Sequence, residues 1–185
     1  MCAQLIEASP AVSVARGLVV TGCRDAAVRA LALADGRVAW AAAGAGGEES
    51  SPALDEAADI VVVGSLAGAV SALNLTSGAR LWSRALGGGA VWSSPTIAAD
   101  GAVFVGDFSG GVHALDLRTG APRWAAPFRA GDSVRASPAV SPDGALVVVG
   151  SYDGSVYALD AATGARRWQF KTGDSVRGSA AREYH

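Results

Sequence analysis

Two near-identical tetrads hold residues suited to molecular recognition, Asp132-Ser133-Val134-Arg135 and Asp174-Ser175-Val176-Arg177. Short runs that join an acid to an aromatic or a base add to them: Cys23-Arg24-Asp25, Asp107-Phe108 and Tyr152-Asp153. Acids alternating with arginines beside aromatic rings suit the recognition of polar peptides, because arginine and aromatic side chains are enriched at binding hot spots. The competing reading is loop solvation and surface ion pairing, which is common and energetically slight.

Catalytic chemistry is harder to place. Serines precede prolines or fill turns, and no Gly-x-Ser-x-Gly elbow occurs with a histidine and an acid to serve it. His113 lies in a strand pattern, where packing is its expected role, and His185 is terminal. Cys2 and Cys23 allow at most one disulfide and lack CxxC spacing, so a reducing compartment is the default. The loops Gly44-Ala45-Gly46-Gly47 and Gly87-Gly88-Gly89 are not followed by helices, which removes a phosphate cradle and leaves flexible connections. Glu48-Glu49 with Asp55-Glu56 and Asp59 reads as a solvated acidic loop.

Composition narrows the classes further. With 185 residues, 50% hydrophobic and 17% charged, the chain is one domain's worth of soluble globular protein. Fifteen basic against seventeen acidic residues give a net charge of −2, without the basic excess of a phosphate-backbone binder, so no nucleic-acid partner is expected. No membrane partner is expected either. The longest uncharged stretch, Ile60 to Ala79, is broken by glycines, serines, Asn74 and Thr76. The N-terminus has no basic segment and no apolar run of a secretory signal, which points to a cytoplasmic protein whose start reads as a truncation point.

The elements that must position these residues come from a repeat. Trp40, Trp82, Trp124 and Trp168 step by 42, 42 and 44 residues, as do Gly22, Gly64, Gly106 and Gly150, each ending an apolar run. Ser9-Pro10, Ser51-Pro52, Ser94-Pro95 and Ser137-Pro138 open the units, and Ser179-Ala180 opens a fifth. Each unit holds four short apolar runs separated by turn residues such as Pro142-Asp143-Gly144, Asp153-Gly154 and Ala162-Thr163-Gly164. No window has helical spacing. The fold class is therefore all-β: a β-propeller of four-stranded antiparallel blades, with four complete blades near 9–50, 51–93, 94–136 and 137–178, and the first strand of a fifth in 179–185. Trp92 lies outside the tryptophan register and reads as a loop-borne contact.

The unit from Gly150 through Leu159-Asp160, Thr163-Gly164 and Trp168 closely resembles the repeat of the pyrroloquinoline-quinone-like, or quinoprotein-like, propeller family. Gly106 through Asp116, Thr119-Gly120 and Trp124 match it, as do Gly64 through Asn74, Ser77-Gly78 and Trp82. The resemblance implies that Trp40, Trp82, Trp124 and Trp168 dock between blades. It also implies that Asp116, Thr119 and Gly120, with Asp160, Thr163 and Gly164, hold the corners before them. One large flat side chain per blade, with an N–H to satisfy, suits that role better than a stacking platform for bases or sugars. The first unit departs from the pattern, with Asp35-Gly36 before Trp40 and Leu33 where the aspartate belongs, so its corner should be held less firmly.

A quinone site of this family uses adjacent cysteines, a channel-floor tryptophan and a calcium set. The adjacent cysteine pair is missing and Asn74 is spent at a corner, so no cofactor, no metal and no dehydrogenase activity are expected. Segments 9–12 and 19–25 also resemble, more weakly, a blade of the propeller at the C-terminus of the beta-alanine-activating enzyme, which is acyl-CoA-synthetase-like. That likeness implies an accessory fragment of an adenylate-forming enzyme.

The leading expectation is a non-catalytic scaffold or binding domain for protein or peptide partners. In a propeller the loops from the fourth strand of one blade to the first of the next and the hairpins between second and third strands share one face. That face should carry Arg24, Asp25, Asp107, Phe108, Asp132, Arg135, Tyr152, Asp153, Asp174 and Arg177, with Trp92 beside them. Four blades are half of the about eight that such repeats assemble, which predicts self-association to complete a ring, or a truncated product of marginal stability. A closed four-blade ring is the rival geometry.

Overall fold

The computed structural model describes residues 8–47 and 50–179. Among these residues there is no helix, and none is long and apolar enough to cross a membrane. The first blade comprises β1 (Ala11–Ser13), β2 (Leu18–Cys23), β3 (Ala27–Ala32) and β4 (Val38–Ala43). The second comprises β5 (Ala53–Asp55), β6 (Ile60–Gly64), β7 (Ala69–Asn74) and β8 (Arg80–Ala85). The third holds β9 (Thr96–Ile97), β10 (Ala102–Gly106), β11 (Gly111–Asp116) and β12 (Phe128–Arg129). The fourth holds β13 (Ala139–Val140), β14 (Leu146–Ser151), β15 (Ser155–Asp160) and β16 (Arg166–Lys171).

Each blade is an antiparallel meander in chain order, and the four sheets form an open arc, not the closed four-blade ring. The runs in β6 and β10 are buried on both faces, so alternation between apolar and polar residues is lost. Three apolar cores result, one in each seam between neighbouring blades. Val20, Val28, Val61 and Leu75 fill the first, Val62, Val70, Val103 and Leu117 the second, and Phe104, Val112, Val149 and Leu159 the third.

The tryptophans tie the seams. The Nε1–H of Trp40 donates to the Leu75 carbonyl at 2.9 Å, that of Trp82 to Leu117 at 2.8 Å and that of Trp124 to Ala161 at 2.9 Å. Each ring lies flat against the corner glycine of the next blade. A Cβ added at Gly120, whose φ is +67°, would stand 2.6 Å from the Trp82 ring. The glycine therefore satisfies a left-handed turn and a close approach together. A register shift in β3, β7 and β15, opposite the outer strand, sets a bulge beside Trp40, Trp82 and Trp168. In the third blade Pro122 and Pro127 both precede the short outer strand, yet Trp124 still docks.

Asp116 and Asp160 organise the corners before the outer strands. Each accepts hydrogen bonds through one carboxylate oxygen from the hydroxyl and the N–H of the threonine three residues on. The Thr163 hydroxyl, then Arg167, pull the Asp160 carboxyl down to about 2.

Two corrections concern this frame. Ala32, not Leu33, takes the corner aspartate's place in the first blade, because its carbonyl accepts from Gly36 as those of Asp116 and Asp160 accept from Gly120 and Gly164. Trp168 does not dock: it is 46% exposed and its indole N–H has no partner among the described residues, since no described sheet packs on that side.

The repeated Ser-Pro pairs have a use the sequence did not reveal. The N–H of Ser9 donates to the hydroxyl of Ser51, Ser51 to Ser94, Ser94 to Ser137 and Ser137 to Ser179, all at 3.0 to 3.1 Å. One serine per blade thus links each sheet to the next.

Candidate functional site

The loop face is built by backbone hydrogen bonds that stitch each connecting loop to the hairpins on either side. Val91 N–H donates to Ser65 and Phe108 to Ala90, while Val134 donates to Asp107 and Tyr152 to Ser133. Each loop valine seats against a glycine at the end of a second strand. A Cβ on Gly106 would stand 2.3 Å from Val134 Cγ1, which explains the periodic glycine. Seating the valine fixes the next residue, so Trp92, Arg135 and Arg177 occupy equivalent positions in successive loops.

Phe108 and Tyr152, from the hairpins of the third and fourth blades, stand between those three. The Arg135 guanidinium carbon lies 4.2 Å from the Trp92 ring centre, 4.7 Å from Phe108 and 4.4 Å from Tyr152. Arg177 lies 5.4 Å from Tyr152, and Trp92 meets Phe108 edge-on at 5.5 Å. The result is a ladder, Trp92-Phe108-Arg135-Tyr152-Arg177, running across two blades. Phe108 is 44% exposed, so the ladder is open to solvent. Cation–π contacts hold the guanidinium groups beside the rings.

The acids of this face do not join the ladder. Asp132 and Asp174 turn back to accept from the N–H of Ser133 and Ser175. Asp25 pairs with Arg29 at 2.7 Å and accepts from Ala27 N–H, and Arg24 is exposed beside it. Asp153 accepts from the Tyr157 hydroxyl at 2.6 Å and from Gly131 N–H at 2.7 Å. Burial alone would raise its carboxyl, but these donors hold it below the usual range, while burial and Asp153 together raise the Tyr157 phenol.

Asp107 is a correction to the expected surface. It is fully buried beneath the hairpin, where it meets His113 Nε2 at 2.6 Å and accepts from the N–H groups of Ser109 and Gly111. Burial favours its neutral form, but the His113 hydrogen bond and those backbone donors outweigh burial and keep its carboxyl below the ordinary range. The clue was in the repeat: Asp107 stands where the second and fourth blades have Ser65 and Ser151, both fully buried. Within the loop Gly87-Gly88-Gly89 only Gly88 is buried, and a Cβ there would strike the Asp107 carboxylate at 2.0 Å, while Gly87 and Gly89 are exposed. Gly88 thus packs directly over Asp107.

Cys23 is fully buried at the end of β2 and disulfide-bonded, a state that oxidising compartments favour. Cys2, Glu48, Glu49 and His185, and all of the fifth-blade stretch beyond Ser179, lie outside the described residues. Among the described residues no three His, Cys, Asp or Glu side chains gather to hold a metal ion.

A family model described as outer membrane protein assembly factor BamB matches residues 2–170. The crystal structure of BamB from Moraxella catarrhalis superposes with a TM-score of 0.79 at 22% identity, covering 95% of this chain and 55% of that one. The computationally designed protein Ika8 superposes with a TM-score of 0.80 at 19% identity, covering 94% of this chain and 52% of that one. The chain therefore spans about half the length of these solved propellers. No curated protein sequence matches.

Proposed function

The chain belongs to the family described as outer membrane protein assembly factor BamB, and on that premise we propose that it is a non-catalytic propeller scaffold that binds protein segments on its loop face. The observation that carries this reading is the solvent-open ladder of three aromatic rings and two arginines, fixed by backbone hydrogen bonds on rigid blades. Such residues dominate binding energy where they can be desolvated together. A rigid platform also spares a partner the ordering cost of mobile loops. The family description, an assembly factor, agrees with a binding role. The accessory-fragment reading from the adenylate-forming enzyme rests on the sequence segments 9–12 and 19–25 alone.

A library of random displayed peptides selected on the immobilised protein tests the reading. Binders should be recovered that are lost when Phe108→Ala and Tyr152→Ala are combined, while circular dichroism and thermal midpoint confirm a folded variant. Binders indifferent to the double substitution, or none at all, would remove the loop face from consideration.

A further inference from the structure

Charge accounting on the loop face is unequal. Its acids turn to their own loops, to His113, to Arg29 or, through Asp153 Oδ2, to Tyr157, while Asp153 Oδ1 is buried without a donor. Among the described residues Arg135 and Arg177 form no ion pair, and Arg177 makes only one hydrogen bond, from Nε to the Ser175 hydroxyl at 3.1 Å. Arg135 Nε and Trp92 Nε1 are buried without an acceptor. A guanidinium clamped among three rings has therefore lost water on its ring-facing sides and gained no anion.

We infer that the Arg135 cluster is a subsite for an aspartate or glutamate side chain of an acidic peptide, with Arg177 drawing a second carboxylate one blade further along. This rests on the peptide-binding reading above and adds the chemistry of the partner. A carboxylate is flat and presents two oxygens, which suits the in-plane fork of a guanidinium. The ring faces around the guanidinium carry negative potential, so an anion must approach from the side the rings leave open. A tetrahedral phosphate would press its remaining oxygens towards those faces. Tyr152 between the two arginines sets their spacing, so the site favours a segment carrying two acids over a single acid.

Nitrogen-15 NMR of the full chain tests this, following the side-chain N–H signals of Arg135 and Trp92. The probes are acetyl-Gly-Glu-Glu-Gly-amide and its isostere acetyl-Gly-Gln-Gln-Gly-amide at low salt, with inorganic phosphate as a third arm. The glutamate peptide should move both signals saturably, and the glutamine peptide should not. Arg135→Gln and, separately, Arg177→Gln should each weaken the glutamate peptide by about tenfold or more, with Arg135→Lys recovering only part of the loss. The Arg177 variant keeps the test valid should the Arg135 variant lose its fold. Equal shifts with both peptides, no shift, phosphate equal to the glutamate peptide, or arginine variants without effect would overturn the inference. Displayed peptides that depend on Phe108 and Tyr152 yet carry no acid would overturn this inference alone and leave the peptide-binding reading standing.

Discussion

At equivalent positions of the repeat, the seams and the outer faces of the arc behave oppositely. Trp124, between the third and fourth blades, is 4% exposed and bonded to Ala161, while Trp168, one repeat later, is 46% exposed and has no hydrogen-bond partner among the described residues. Leu117 sits beneath Trp82 at 3% exposure, and its counterpart Leu33 on the first blade stands at 46%. The residue types are nearly constant across the repeat, so the difference comes from neighbours alone. A blade's apolar residues stabilise it only where another sheet covers them, as in other arrays whose units contact only adjacent units.

The largest expected effect breaks that comparison directly. Trp124→Ala removes a buried ring packed 5.7 Å from Phe104 and an interblade hydrogen bond, and should cost about 3–5 kcal/mol. Trp168→Ala removes a ring that is half in water and should stay within about 1 kcal/mol. Urea midpoints of the two variants measure the contrast. Equal losses would mean that the repeat position, not the neighbour, sets the tryptophan's worth.

That contrast also marks what a sequence can carry. The period of tryptophan, glycine and Ser-Pro was legible because each does one job per blade, so blade number and strand order follow from spacing. The corner Asp-x-x-Thr-Gly was legible for the same reason. Burial of Asp107 was not, because an acid after a strand end reads as a loop residue until the serines at the same repeat position are seen to be buried. The ladder was half legible. The near-copied tetrads exposed Arg135 and Arg177, but Trp92 shares their position only through the preceding valine, and that valine's role depends on a contact with Gly106 and its equivalents. Which acids pair with which arginines is a matter of side-chain direction, and spacing along the chain does not set it. The failure of Trp168 to dock follows from neighbours, which no feature of its own unit records.

A second test sharpens the comparison at the glycines. Gly120 and Gly36 hold nearly the same left-handed turn, at φ +67° and +72°, so alanine at either meets the same backbone penalty. Only Gly120 has a tryptophan ring against it, whereas a Cβ on Gly36 meets nothing within 4 Å. Gly120→Ala should therefore destabilise by about 1–3 kcal/mol more than Gly36→Ala, the usual cost of overpacking. Thermal midpoints of the pair read that difference with the backbone contribution cancelled. A gap near zero would show that the ring yields and that the corner glycine is needed for its backbone conformation only.

The smallest expected effect concerns what covers the outer faces when the 185-residue chain is studied by itself. The first blade presents Val12, Leu33 and Val38 at 46 to 54% exposure, with Gly36 clear of any ring. The fourth presents Trp168 and Phe170 at 46% and 64%. These are the two halves of a seam the molecule already makes three times, a tryptophan on one side and a corner leucine or alanine carbonyl with its glycine on the other. A second copy supplies both missing halves at once: Trp168 of each copy would dock on the Leu33–Gly36 corner of the other, and two arcs would close through two equivalent seams. Sedimentation velocity over a range of concentrations should show reversible association, and Trp168→Ala should weaken it by about tenfold, or about 1.4 kcal/mol. Gly36→Ala should weaken it too, because the copy's ring would now meet a Cβ, although that substitution leaves the seams within the chain untouched. This last variant separates a specific seam from unspecific sticking of apolar faces. Loss of association with both variants supports docking of Trp168 on the corner. Association that survives both, or a monomer at every concentration, would leave the outer faces as uncovered sheet and end the analogy with the inner seams.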